Sequence, residues 1–268
     1  ISYGSARFRI NLGRDKHGMI VAARRLPVDI PPMDALRLPG PVRNLCNLER
    51  GLVIVTGPTG SGKSTTLASM LAHIAAGSDG IGGRHLLTLE DPIEYELPQG
   101  RSIVHQRELG VDFETFPQAL RQALRQDPDV ILVGELRDLE TTRTAITAAE
   151  TGHLVFGTLH TFDAVSSLGR LVSQFPDGEQ AQIRAQLAYV LRAVISQTLV
   201  PTADGKGRVG AYEVLLSNAA VANNLRKVDG LTALRQVIET GQRDGMQTLE
   251  MDLAGLVRQG LITRAEAE

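Results

Sequence analysis

Tryptophan is absent from this 268-residue chain and aromatic residues make up only 4% of it, so a core must be packed from aliphatic side chains. Cys46 is the only cysteine. That excludes an intrachain disulfide and a cysteine-cluster zinc site, and it fits a reducing compartment. No apolar run approaches the roughly 20 residues of a membrane-spanning helix. No signal-peptide pattern is visible either, and the abrupt strand-like opening at Ile1 leads us to expect a fragment whose own N-terminus is missing. Charge of one sign is lacking too: 28 Lys and Arg stand against 30 Asp and Glu. A near-neutral chain gives no global reason to expect a nucleic-acid partner. What is plentiful is apolar side chain, at 43%, and glycine, at 27 residues. That is enough for one large domain or for a domain plus part of a second.

The glycines are concentrated where they carry chemistry. Gly57-Pro58-Thr59-Gly60-Ser61-Gly62-Lys63-Ser64 fits G-x-x-x-x-G-K-[ST], the phosphate-binding loop. Triphosphate oxygens are crowded with charge and need donors at close range. Three glycines let the backbone bring its N–H groups up to them. Lys63 is then placed for the β- and γ-phosphates, and the Ser64 hydroxyl for Mg²⁺. Thr65 continues the loop into a helix whose positive end points at the same anion. The context agrees. Leu52-Val53-Ile54-Val55-Thr56 reads as a buried parallel strand. Leu67, Met70, Leu71 and Ile74 recur at helical spacing after the loop, and Gly77 supplies a stop.

Elsewhere, Arg7 to Leu12 and Met19 to Arg24 read as paired strands joined by a turn. Two strands cannot bury a core by themselves, so they read as the end of a larger domain, residues 1–26. Pro27, Pro31, Pro32 and Pro39 mark a stiff linker over 27–40. From residue 41 the chain alternates strand runs (85–90, 130–134, 154–158) with helical patterns (116–126, 139–151). That alternation predicts an α/β fold with a mostly parallel sheet, taken as a core over 41–215, with ligands beyond the carboxyl ends of the strands. From Gly178 onward the pattern reads as helical, with Ile183, Leu187, Val190, Leu191, Val194 and Ile195 as one apolar stripe. Residues 216–268 form a C-terminal helical region.

Hydrolysis needs acids as well as a phosphate cradle. Ile131-Leu132-Val133-Gly134-Glu135 has the form of a Walker B strand, and Glu135 is the candidate to hold Mg²⁺ through water. Glu90-Asp91-Pro92-Ile93-Glu94 ends another strand, and Glu94 is the candidate general base. His153 and His160 flank a third strand seven residues apart, a spacing wrong for a shared helical metal site. His160, past the strand's carboxyl end, is placed to sense the γ-phosphate.

Four ordered segments, 57–64, 90–94, 134–138 and 151–161, together resemble the Walker A, Asp box, Walker B and His box of the secretion ATPases. Ala148 to Val155, Ala193 to Gln197 and Gly245 to Leu249 are similar, more narrowly, to PilT-type retraction ATPases of type IV pili. The resemblance implies a RecA-like P-loop core beside the truncated end of an N-terminal PAS-like domain. It also implies an ATP- and Mg²⁺-dependent ATPase working as a homohexamer against an inner-membrane pilus platform protein, with a paralogous ATPase as a further partner. Such a protein is cytoplasmic and peripheral at the inner membrane. It carries over Glu94 as base, Glu135 as the metal-serving acid and His160 as the coupling residue. Arg7, Arg9 and Arg24 are carried over as phosphate-reaching arginines, with Arg170 as a further candidate from the core. Two departures stand out. No four-cysteine zinc motif follows the His box, where Leu199 to Gly205 stands instead. The tail motif usually written A-I-R-N-L-I-R-E is present only as Ala220 to Lys227, with Ala222 in place of its first arginine. The alternatives are an assembly or secretion ATPase lacking the zinc motif, a weakly hydrolysing nucleotide-binding regulator and a small-molecule kinase.

Overall fold

The computed structural model describes residues 2–3, 6–77 and 83–268. Ile1, on which the reading of a missing N-terminus was based, lies outside them, as do Gly4 and Ser5 of the 1–26 segment. The chain begins with strands β1 (Ser2–Tyr3), β2 (Ala6–Asp15) and β3 (Gly18–Leu26), which form an antiparallel sheet of their own. Then follow helix α1 (Gly40–Asn44), β4 (Gly51–Thr56), α2 (Lys63–Ala75), β5 (His85–Glu90) and β6 (Ile103–Glu108). The core continues through α3 (Phe116–Ala123), β7 (Val130–Val133), α4 (Leu139–Glu150), β8 (Leu154–Leu159), α5 (Ala164–Ser173) and α6 (Asp177–Val190). It closes with β9 (Leu191–Pro201) and β10 (Arg208–Leu216), and the tail carries α7 (Ala219–Arg226), α8 (Leu234–Thr240), α9 (Leu249–Arg258) and α10 (Arg264–Ala267).

The main sheet runs β10-β9-β4-β8-β7-β5-β6. Every neighbouring pair is parallel except β9 with β10, so the expected mostly parallel α/β sheet is present with one antiparallel edge. Successive strand residues point to opposite faces, and both faces are covered. Leu52, Ile54, Leu87, Leu89, Ile131 and Val133 pack in one cluster with residues of α3 to α6. Val53, Val55, Leu86, Val130, Leu132 and Phe156 pack in another with residues of α2. The wholly apolar strand runs in the sequence are the direct trace of this two-sided burial.

One expectation is corrected. The apolar stripe read as helical through Ile195 breaks at Val190, and Leu191–Pro201 is strand. Val194 belongs to one face's cluster and Ile195 to the other's, so they share no helical stripe. A short apolar run satisfies both periods, and pairing with β4 on one side and β10 on the other decides it.

Candidate functional site

The glycine loop joins the buried strand β4 to α2, as its sequence context predicts. Gly57, Gly60 and Gly62 take φ of +145°, +82° and +92°, values that only glycine adopts without strain. Two of them are also closely covered. A Cβ at Gly57 would strike the Gln197 carbonyl, and one at Gly62 would lie 2.9 Å from Gln197 Nε2. Lys63 is buried, and its Nζ donates to the Gly57 and Pro58 carbonyls at 2.7 and 3.1 Å. Burial pushes this ammonium below the usual lysine value, against the opposing pull of Glu135 and then Glu94.

The acids come from the carboxyl ends of two other strands. Glu135 follows β7 and Glu94 follows β5. A cavity beside the loop is lined by Ser64, Glu90, Glu94, Tyr95, Glu135 and Thr158 among others. Glu135 Oε2 pairs with Arg137 Nε at 2.6 Å and meets His160 Nε2 at 3.1 Å. His160 Nδ1 in turn lies 3.4 Å from Lys63 Nζ. The His160 turn is fixed from beneath: Thr56 Oγ1 donates to the Thr161 carbonyl at 2.6 Å, and the Thr161 and Ser167 hydroxyls are 2.6 Å apart. His153 sits at the opposite end of β8, its Nδ1 2.9 Å from the Ala148 carbonyl.

The arginines divide. Arg7 reaches across from β2 and donates to the Ile93 and Glu94 carbonyls at 3.3 and 3.4 Å, and its Nε pairs with Glu96 at 3.1 Å. Arg9 and Arg24 are exposed and stand opposite each other in the β2–β3 register. Arg170 is exposed in the last turn of α5. Among the described residues no hydrogen bond or ion pair joins Arg9, Arg24 or Arg170 to the phosphate loop.

Sequence reading missed several contributors. Glu90 is half-buried, accepting from Thr88 Oγ1 at 2.7 Å and Gln106 Nε2 at 3.0 Å. Desolvation raises its pKa, with the Glu94 and Glu108 charges adding in the same sense. Tyr95 shares a 2.8 Å hydroxyl contact with Thr65. Gln197 comes from β9 and donates from Nε2 to the Ser61 carbonyl at 2.6 Å. A second cavity, behind the loop, is lined by Leu36, Arg37, Thr65, Thr66, Arg208 and Tyr212 among others. Gln197 carried a faint sequence signal, as a polar residue inside an apolar strand run.

Among the described residues no group of three or more His, Cys, Asp or Glu can hold a metal ion. Mg²⁺ needs no such cage, because it keeps waters and takes one or two protein oxygens plus substrate phosphates. Ser64 and Glu135 on one cavity wall fit that pattern.

The model of the type II/IV secretion system protein family matches residues 41–265. A twitching motility protein of Neisseria gonorrhoeae is 48% identical over 257 residues, spanning 96% of this chain and 67% of that protein. The type IV pilus retraction ATPase PilT of Pseudomonas aeruginosa is 47% identical over 264 residues, spanning 98% of this chain and 75% of that one. A crystal structure of the pilus retraction motor PilT with bound ADP superposes with a TM-score of 0.88 at 48% identity, covering 97% of this chain and 72% of that one.

Proposed function

The chain belongs to the type II/IV secretion system protein family, and from that premise we propose that it is the ATPase motor of type IV pilus retraction, the activity behind twitching motility. One observation carries the reading: Lys63, Glu135 and His160 form a connected polar chain at the phosphate loop, and Glu94 shares the cavity beside it. This is the equipment for hydrolysis as well as for binding. ATP is the substrate. Its phosphates would lie in the glycine loop, with the nucleoside toward the cavity lined by Thr65, Thr66 and Tyr212.

Each residue then has a task. The amides of 57–64 and Lys63 bind phosphate oxygens. Ser64 and Glu135 would hold Mg²⁺, which when bound neutralises charge on the phosphates. Glu94 accepts the proton of the attacking water. His160 bridges Lys63 to Glu135, so a change at the phosphates is felt in the turn before α5. Arg7 orients the Glu94 segment through its backbone. Arg9, Arg24 and Arg170, exposed here, are assigned to phosphate contacts made when lobes or subunits close. We assign residues 1–26 and 41–215 as the lobes that move about the 27–40 linker, with 216–268 as the output region. The working form is a homohexamer. It acts at the cytoplasmic face of the inner membrane on the pilus platform protein. No helix among the described residues is long and apolar enough to cross a membrane.

The retraction reading is favoured over assembly by the β9–β10 hairpin. Where assembly ATPases carry the zinc motif, this chain makes a short polar turn, with Thr202 Oγ1 donating to Asp204 at 2.6 Å and accepting from Gly207 N at 3.0 Å. The test has two arms. ADP at a hundred times its Kd should stabilise the chain by about 2.7 kcal/mol, and Lys63→Ala should abolish that shift. In the host, deletion should leave excess surface pili that fail to retract. Loss of pili would move the chain to the assembly side.

A further inference from the structure

Beneath the phosphate loop two buried polar atoms have no hydrogen-bond partner among the described residues: Ser61 Oγ and Gln197 Oε1. Gln197 is 4% exposed and Ser61 3% exposed. A carboxamide buried in β9 loses solvation, so its hydrogen bonds decide whether it is tolerated there. Its one made bond is to the loop itself, Nε2 to the Ser61 carbonyl at 2.6 Å. The Gln197 backbone and side chain also close against Gly57 and Gly62, leaving no room for a Cβ at either position.

Gln197 is not isolated on its strand. Its register partner on β10 is Tyr212. The Tyr212 hydroxyl donates to the Leu36 carbonyl in the 27–40 segment at 2.9 Å, and it also interacts with Thr66 of α2. The next pair, Ser196 and Glu213, reaches the other side of the site, where Glu213 Oε1 accepts from the Ala164 amide at the start of α5 at 2.7 Å. One short stretch of a two-stranded ribbon thus touches the phosphate loop, the linker and the helix after the His160 turn.

We propose that Gln197 is a positioning residue for the phosphate loop, holding Ser61 so that the loop amides face a nucleotide phosphate and tying the loop to the Tyr212–Leu36 contact. The inference rests on the nucleotide-binding reading above. It goes beyond that reading by placing the control of loop geometry in β9, outside the loop, the acids and the His160 turn.

The experiment uses the 268-residue chain with labelled ADP. Gln197→Met keeps the side-chain length and removes both the donor and the partnerless oxygen. Gln197→Glu keeps the shape and an acceptor but presents a carboxylate to the Ser61 carbonyl. Each should weaken ADP binding at least tenfold, with the melting temperature of nucleotide-free Gln197→Met close to wild type and that of Gln197→Glu lowered by its desolvated carboxylate. A merely structural role would lower the melting temperature and leave ADP affinity of the folded protein unchanged. Affinity within twofold of wild type in either folded variant overturns the proposal. Should one variant fail to fold, the other decides. Wild type failing to bind ADP would instead remove the nucleotide reading and this inference with it.

Discussion

Glu135 and His160 meet through Oε2 and Nε2 at 3.1 Å. Lys63 Nζ, which only donates, stands 3.4 Å from His160 Nδ1. With Nδ1 accepting from Lys63, Nε2 is the ring nitrogen that donates to Glu135. His160 thus bridges Lys63 and Glu135. His160→Ala should cut turnover about 10- to 100-fold, the scale of a lost hydrogen bond to a charged group, while ADP affinity stays within about threefold of wild type. Steady-state ATPase rates beside ADP titrations check it. Parallel losses in both would make His160 a binding residue instead.

Glu94 is half-buried and lines the cavity that Ser64 and Glu135 share. Glu94→Gln keeps shape and removes the proposed base. Turnover should fall on the order of 10²–10⁴-fold, the usual worth of a positioned general base, with ATP binding retained. Near-normal hydrolysis in the variant would take Glu94 out of the base role.

Arg7 supplies the tie between the β1–β3 sheet and the Glu94 segment. Its ion pair with Glu96 is weak support, because the Glu96 side chain is 73% exposed and such pairs contribute about 0–1 kcal/mol. Its bonds to the Ile93 and Glu94 carbonyls are the specific part. Arg7→Ala should lower turnover with little change in melting temperature, whereas Glu96→Ala should leave both near wild type. Arg7→Lys should rescue poorly, since an ammonium cannot donate through the guanidinium's several planar N–H groups. Equal effects of the alanine variants on turnover would make the ion pair, and not the backbone contacts, the working feature.

The phosphate loop and the parallel strands were legible because their signals are local. Three glycines at fixed spacing and apolar runs of strand length need no distant partner to be recognised. Leu191–Pro201 was misread because a run such as Ala193-Val194-Ile195 satisfies a helix and a strand equally, and only pairing with β4 settles it. The Arg7–Glu94 tie joins residues 87 apart, and the Tyr212–Leu36 bond residues 176 apart. No spacing rule reaches such distances. Glu90 was passed over because a carboxylate at a strand end reads as solvated, whereas Thr88 and Gln106 enclose it.

Glu90 also gives the protein a pH-dependent element. Burial first, then the Glu94 and Glu108 charges, raise its folded-state pKa above the ordinary value of 4.5. A carboxyl with a raised folded pKa favours the protonated form in the folded state. Its contribution to stability is therefore fully present below pH 4.5 and is lost as pH rises through the folded value. Glu213 and Asp252, also raised chiefly by desolvation, act in the same sense, so the wild-type profile alone does not isolate Glu90. Glu90→Gln does isolate it. The amide oxygen can still accept from Thr88 and Gln106, but it carries no charge to desolvate. The variant should match wild type near pH 4 and melt a few degrees higher by pH 7.5, with the gap opening across the interval between the unfolded and folded pKa values. Thermal melts of both proteins over that range check it. A gap independent of pH, or a wild type more stable at pH 7.5, would show that the Glu90 carboxylate is better compensated than its burial implies.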